Sequence, residues 1–207
     1  MKSSIALVVE LVDTQVLGTC AVRLRGSSPL GSTNMSYIEI PARQNSFTDI
    51  TKVDVESSAM AIKRLMEGLP FNPKDVKTAI DLYCGNGIIV AGELEYLPNA
   101  VIHAVDINDN ILSRYLQKQK RVKFHQGWVS KVLLSGQLPK ADFISISDAS
   151  RHHGLDSMSA SQLQQLTTGY LLTIGDNAYL EREPYFRELF TRVKNIPDHF
   201  AAVWKAK

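Results

Sequence analysis

Cysteine is scarce in this chain: Cys20 and Cys84 are the two in 207 residues. That excludes a disulfide framework and a cysteine-based zinc site, and it fits a reducing compartment. An excess of one charge is also lacking. Lys and Arg number 23 against 21 Asp and Glu, for a formal net charge of +2. No large basic field therefore announces nucleic acid. No apolar run approaches the roughly 18 residues that a membrane span needs. The N-terminal MKSSIALVVELVDTQ is broken by Glu10 and lacks a small-residue cleavage site, so a strand is expected there rather than a signal peptide. Internal repeats and low-complexity tracts are absent too. What is present is ordinary for a globular chain, 44% hydrophobic and 21% charged, and long enough for one sizeable core. A soluble, cytoplasmic protein is the expectation.

The first third differs from the rest. SIALVVELV and VLGTCAVRLR are β-rich runs around Asp13-Thr14-Gln15, which predicts a hairpin, and MSYIEIPARQ is a third short strand. KVDVESSAMAIKRLMEGLP reads as a helix with Val55, Ala59, Ile62 and Met66 on one face and Gly68 and Pro70 as its stop. From TAIDLY onward, strands and helices alternate. Helices are expected over Ile88–Tyr96, Asn110–Gln119, VSKVLL, SASQLQQL and PYFRELFTRV. Strands are expected at AVIHAVDIN, RVKFHQG, ADFISISD, GYLLTIGD and HFAAVWKA. Such alternation predicts right-handed βαβ crossovers and an α/β fold with a mostly parallel sheet. The expected division is a β-rich accessory region over residues 1–52 and an α/β domain over 53–207.

Ligands of such sheets bind beyond the C-terminal ends of the strands. Asp81, Asp106, Gly127 and Asp148 all fall at such ends. Gly85 and Gly87 open the helix after the first strand of the alternation, where glycine permits unusual dihedrals and close backbone approach. Asp106 lies 21 residues after Gly85 and is suited to accept hydrogen bonds from a ribose. Two ligands compete for this turn. A dinucleotide fingerprint G-x-G-x-x-G/A needs a third small residue, and Val90 stands there instead. Asp81, four residues before the first glycine, is poorly placed to welcome a pyrophosphate and well placed to hold a cationic ligand.

The segment DLYCGNG resembles motif I, D/E-x-x-x-G-x-G, of the class I S-adenosylmethionine-dependent methyltransferases, and AVDIN resembles the acidic motif that follows. The resemblance covers roughly Asp54–Lys207 by element order. It implies a Rossmann-like methyltransferase fold, a seven-stranded sheet with an antiparallel last hairpin around Pro197, and S-adenosylmethionine as cofactor. It also implies that Asp81 orients the methionine moiety and that the turn Tyr83, Gly85, Asn86 and Gly87 faces the cofactor. By the same resemblance Asp106 holds the ribose, and Ile107 flanks the adenine.

The chain departs from the family after the third strand, where Trp128 replaces the usual acid of a G-D pair. Gly127 and Trp128 are candidate adenine contacts through backbone and ring, while Trp128 reads equally as a core or lid residue. No Asn/Asp-Pro-Pro-aromatic segment follows the fourth strand, which argues against a base N-methyltransferase. Asp148 and His152, with His153 beside it, are candidates for a general base or for orienting an acceptor. A solvated loop is the competing reading. Two adjacent histidines do not make a metal site. Cys84 reads as a small packing residue. The four cations of QKQKRVK read as a helix C-terminus complementing its dipole rather than as an RNA contact. Arg43, Asn45 and Phe47 are candidates for capping the cofactor pocket. The methyl acceptor is left open, with a small molecule or protein preferred over RNA on charge. A degenerate, partner-bound or homodimeric module and a nicotinamide-dependent oxidoreductase are the rival functions.

Overall fold

The computed structural model describes residues 9–14, 19–24, 50–107, 112–147, 155–174, 183–196 and 201–207. The chain divides into two units, Met1–Ser46 and Phe47–Lys207. In the first, β1 (Val9–Thr14) pairs antiparallel with β2 (Thr19–Leu24), Val9 opposite Leu24 and Thr14 opposite Thr19, as a hairpin requires. The strand expected at MSYIEIPARQ and the candidates Arg43, Asn45 and Phe47 lie outside the described residues.

The second unit opens with α1 (Lys52–Met66). Its start is set by a capping box in which Thr51 Oγ1 accepts from the Asp54 N–H while the Asp54 carboxylate accepts from the Thr51 N–H at 2.8 Å. Ala59, Ile62 and Met66 are buried along one face, as their spacing predicts. The alternating elements follow as β3 (Thr78–Leu82), α2 (Ile88–Tyr96), β4 (Val101–Asp106), α3 (Arg114–Gln117), β5 (Val122–Gln126) and α4 (Val129–Leu134). The rest are β6 (Ala141–Ser147), α5 (Ser157–Leu166), β7 (Thr167–Ile174), α6 (Pro184–Leu189), β8 (Phe190–Ile196) and β9 (Ala201–Ala206).

These strands form one seven-stranded sheet in the order β5-β4-β3-β6-β7-β9-β8. The strands from β3 to β7 are mutually parallel, and β9 runs antiparallel between β7 and β8. The side-chain period of two sends alternate residues to opposite faces. Ala79, Ile102, Ala104, Phe143 and Val203 join one apolar cluster with α1, α2 and Leu116 of α3. Ile80, Leu82, Val105, Ile144 and Trp204 join the other with α4, α5 and α6. Each sheet face is thus covered by helices, the three-layer arrangement that a parallel sheet needs.

Two elements differ from the sequence reading. The helix expected over Asn110–Gln119 is described as α3 alone, four residues started by Ser113, whose hydroxyl accepts from the Leu116 N–H; residues 108–111 lie outside the described set. The helix expected through PYFRELFTRV ends at Leu189, and Phe190 begins β8. Pairing decides this against local propensity. Phe190 lies opposite Ala206 and Arg192 opposite Trp204, and the Phe190 ring is buried 4.7 Å from Phe186, centroid to centroid.

The basic stretch QKQKRVK also finds its partner in space. Arg121 donates to the Leu94, Leu97 and Ala100 carbonyls at 2.8, 2.9 and 3.1 Å. These carbonyls belong to the C-terminal end of α2 and the loop beyond it. The cation complements a helix dipole, but that of α2 rather than of its own helix.

Candidate functional site

The site is built where β3, β4 and β6 end on the α1–α2 face. β3 turns sharply after Leu82. Tyr83 adopts φ 62°, Gly85 φ 53° and Gly87 φ 87°, a left-handed run that glycine adopts without strain and a bulky residue does not. The turn is fixed by Cys84 N–H donating to Val105 O (3.0 Å), Gly87 N–H to Cys84 O (2.8 Å) and Ser113 N–H to Asn86 O (3.1 Å). Asn86 Oδ1 accepts from the Ile88 N–H at 3.3 Å, so the side chain serves the first turn of α2. A Cβ on Gly85 would meet no atom within 4 Å, whereas one on Gly87 would come within 2.1 Å of Leu116 Cδ1. Gly85 thus leaves open space beside the turn, and Gly87 is packed from behind. Gly87→Ala is expected to cost roughly 1–3 kcal/mol from the left-handed backbone and the displaced leucine, read by denaturant unfolding.

Three carboxylates converge here. Asp106, at the end of β4, accepts from the Gly85 N–H at 3.0 Å through Oδ2, and its carbonyl accepts from the Gly127 N–H at 2.8 Å. Asp81 is fully buried, and neither of its carboxylate oxygens has a hydrogen-bond partner. Ser145 stands opposite it in register on β6, but the Ser145 hydroxyl proton goes to Glu93 Oε1 at 2.6 Å. Burial above all, and then the Glu93 charge, pushes the Asp81 pKa well up; the neighbouring Ser145 hydroxyl works against the rise and the Asp106 charge adds to it. Glu93, also fully buried, keeps Oε2 unpartnered, and burial pushes its carboxyl up to about 8 against the pull of Ser145. Ser147 Oγ, the last polar atom of β6, is buried and unpartnered as well. Cys84 is buried in the core and its thiol is pushed upward, chiefly by burial and then by Asp81 and Asp106, as suits a packing residue.

The other sequence candidates fall in different places. Tyr83 packs against the opposite core cluster, and burial followed by the Asp156 charge pushes its phenol up to about 12. Asp156 caps α5 by accepting from the Ser159 N–H at 2.7 Å and from the Ser159 hydroxyl. Ile107 is 41% exposed just past β4 and Trp128 is 40% exposed just past β5, which places Trp128 outside both core clusters. Asp148 and His152, with His153, lie outside the described residues. Among the described residues no three His, Cys, Asp or Glu side chains are arranged so that they could hold a metal ion, and no helix is long and apolar enough to cross a membrane.

Glu93 and Ser145 are the site residues that sequence reasoning missed. The signal for Glu93 was present: position 93 falls on the apolar stripe of Val90, Leu94 and Leu97, all buried. The pair His103 and His125 went unremarked too. Their rings stack 5.0 Å apart, with Nδ1 of one and Nε2 of the other separated by 2.9 Å, so one ring donates and the other accepts. Burial first, then His125 and Lys123, pushes His103 down to about 4. A cavity of about 440 Å³ adjoins His103, but it opens beside Thr78 and Val101, at the N-terminal ends of the strands and away from the acids.

A mostly parallel sheet with one antiparallel strand inserted between its last two differs from the six-stranded dinucleotide order 3-2-1-4-5-6. Solved structures share the arrangement. A chain of the fibrillarin/Nop5p complex is similar over all of both chains, at 15% identity and a TM-score of 0.53. The PH0226 protein from Pyrococcus horikoshii OT3 is similar over 78% of this chain and 95% of that one, at 16% identity and a TM-score of 0.57. MycE methyltransferase of the mycinamycin biosynthetic pathway, solved with Mg and SAH, is similar over 78% of this chain and 50% of that one, at 12% identity and a TM-score of 0.54. The fold is that of the class I S-adenosylmethionine-dependent methyltransferases. At these identities the likeness is one of fold. No family model matches the sequence, and no curated protein sequence matches it. Within the methyltransferase fold, the Asp81–Gly85–Asp106 cluster occupies the topological switch point between β3 and β6, where such sheets bind ligands.

Proposed function

We propose that this protein binds S-adenosylmethionine at the turn after β3 and transfers its methyl group to an acceptor. The observation that carries the reading is Asp81. A fully buried carboxylate with two unpartnered oxygens is costly in an empty protein and is suited to a cationic guest. Gly85 leaves room for that guest beside its own backbone. Asp106, at the end of β4, is suited to a ribose diol, with Ile107 and Trp128 as apolar walls and the Gly127 backbone beside them. When bound, the cofactor supplies a methyl made electrophilic by a sulfonium. The chain's own part is to hold it in line and exclude water, with a base needed only where the acceptor must lose a proton. Asp148 and His152, beyond the end of β6, are our candidates for that base. Residues 1–52 are read as an accessory region for substrate or dimer contacts. A small molecule or protein acceptor is favoured over RNA by the near-neutral charge.

Calorimetric titration with S-adenosylhomocysteine, with NAD in a parallel cell, tests the reading. Binding of the first alone supports it; binding of NAD alone, or of neither, overturns it. Asp106→Asn, which keeps an acceptor for the Gly85 N–H, is expected to weaken homocysteine-nucleoside binding by roughly 1–3 kcal/mol through loss of charge-assisted bonds. An unchanged affinity would remove Asp106 from the ribose. Transfer to no acceptor by a binding-competent protein would favour a partner-dependent module.

A further inference from the structure

Glu93 stands in the middle of α2, a helix with buried residues from Val90 to Leu94, and among the described residues no ion pair is formed with it. α1, packed on α2, offers it Ser58, Ala59, Ile62, Leu65 and Met66 as its buried face, and the Ser58 hydroxyl is itself unpartnered. A Cβ on Gly92 would come within 2.5 Å of Ser58 Oγ and 2.8 Å of the Ala59 nitrogen, so the two helices touch backbone to backbone there and water has no room. From the sheet, β3 presents Asp81, β4 presents Asp106 and β6 presents Ser145; the turn presents the Cys84 thiol. Among the described residues the titratable groups that interact in this cluster are Asp81, Asp106 and the Cys84 thiol, none of them a cation, and the Ser145 hydroxyl gives its proton to Glu93 Oε1. Two buried carboxylates on either side of Ser145, with three oxygens left unpartnered, carry charge together only at a high cost unless a cation joins them.

We propose that Asp81 and Glu93 hold a shared proton in the ligand-free protein and release it when a ligand ammonium group enters beside them, so that cofactor binding expels a proton to solvent. The inference rests on the cofactor reading above. In the step, one carboxyl O–H bond breaks, its electron pair stays on the carboxylate, the proton passes to buffer, and the new anion pairs with the incoming ammonium. Glu93 is a positioning residue in this scheme: it sets how much negative charge the pocket presents and admits that charge only with its cation. The same arrangement rejects anionic ligands, because a phosphate would meet up to two carboxylates and no compensating cation among them.

The experiment is calorimetric titration of the full chain with S-adenosylmethionine and with S-adenosylhomocysteine near pH 7, in phosphate and in Tris. Protons released into Tris give extra heat, so binding is expected to be more exothermic in Tris, by an amount equivalent to about one proton. Affinity is expected to rise up to about tenfold per pH unit as pH climbs toward the Glu93 value. In Glu93→Gln the buffer difference should vanish and the pH profile should flatten, which a purely structural glutamate would not produce. Equal heats in the two buffers for wild type, or an undiminished difference in Glu93→Gln, overturns the inference while leaving cofactor binding intact. Binding of neither ligand overturns the cofactor reading, and this inference falls with it.

Discussion

Asp81→Asn is expected to lose S-adenosylhomocysteine affinity by roughly 2–4 kcal/mol while folding at least as well as wild type. Removing one partner of a buried, hydrogen-bonded charge pair costs about that much in other complexes, and asparagine has neither the charge nor the second acceptor oxygen. The stability side has the opposite sign. A carboxyl whose folded pKa is raised stabilises the fold below its unfolded value and loses that contribution as pH rises through its folded value. Both Asp81 and Glu93 are raised, by burial first. Wild type should therefore weaken from pH 5 toward pH 8, by a few kcal/mol at most since the pair shares its cost, and Asp81→Asn should weaken less over the same span. Thermal unfolding at both pH values, without ligand, reads this. A variant that binds as wild type does would remove Asp81 from the cofactor site. A wild type as stable at pH 8 as at pH 5 would remove the buried-acid account of why the pocket needs a cation.

Arg121→Ala carries the second large effect, on stability. The guanidinium gathers three carbonyls at the end of α2 and beyond it, at Leu94, Leu97 and Ala100. Hydrogen bonds to a charged group are worth about 1.5–3 kcal/mol each where half-buried, and they are not additive, so a loss of roughly 2–4 kcal/mol is expected in denaturant unfolding. Arg121→Lys should recover only part of it, because an ammonium cannot span three acceptors from one planar fork. A change of less than about 0.5 kcal/mol in the alanine variant would class the contact with exposed ion pairs of little worth.

Much of this was legible in the sequence because the relevant signals are local. Ile88–Tyr96 and VSKVLL begin and end in the structure where their periodicity places them. The placement of acids and glycines at strand ends also followed from the chain alone, and Asp81, Gly85 and Asp106 lie there in the structure. Phe190 was misplaced because its strand exists only through β9, a partner that a window of local propensity does not contain. Arg121 was assigned to its own helix because sequence shows which charges neighbour along the chain and not which helix end lies across a β-strand. Glu93 was passed over for a different reason: a glutamate on an apolar stripe reads as a solvated exception unless the groups facing it from β3 and β6 are known.

The position of β6 beside β3 has a consequence for the order in which the chain can mature. Asp142, at the start of β6, accepts from the Lys77 and Thr78 N–H groups at 2.8 and 3.2 Å, tying together residues 65 and 64 positions apart. Until β6 has been synthesised and has docked, β3 has a bare hydrogen-bonding edge, and Asp81 lacks the strand that seals it from water. The docking of β6 on β3 is thus what seals Asp81 from water on that side. Sealing the acid and completing the sheet go together, so a cationic ligand bound beside Asp81 should stabilise the completed sheet by mass action.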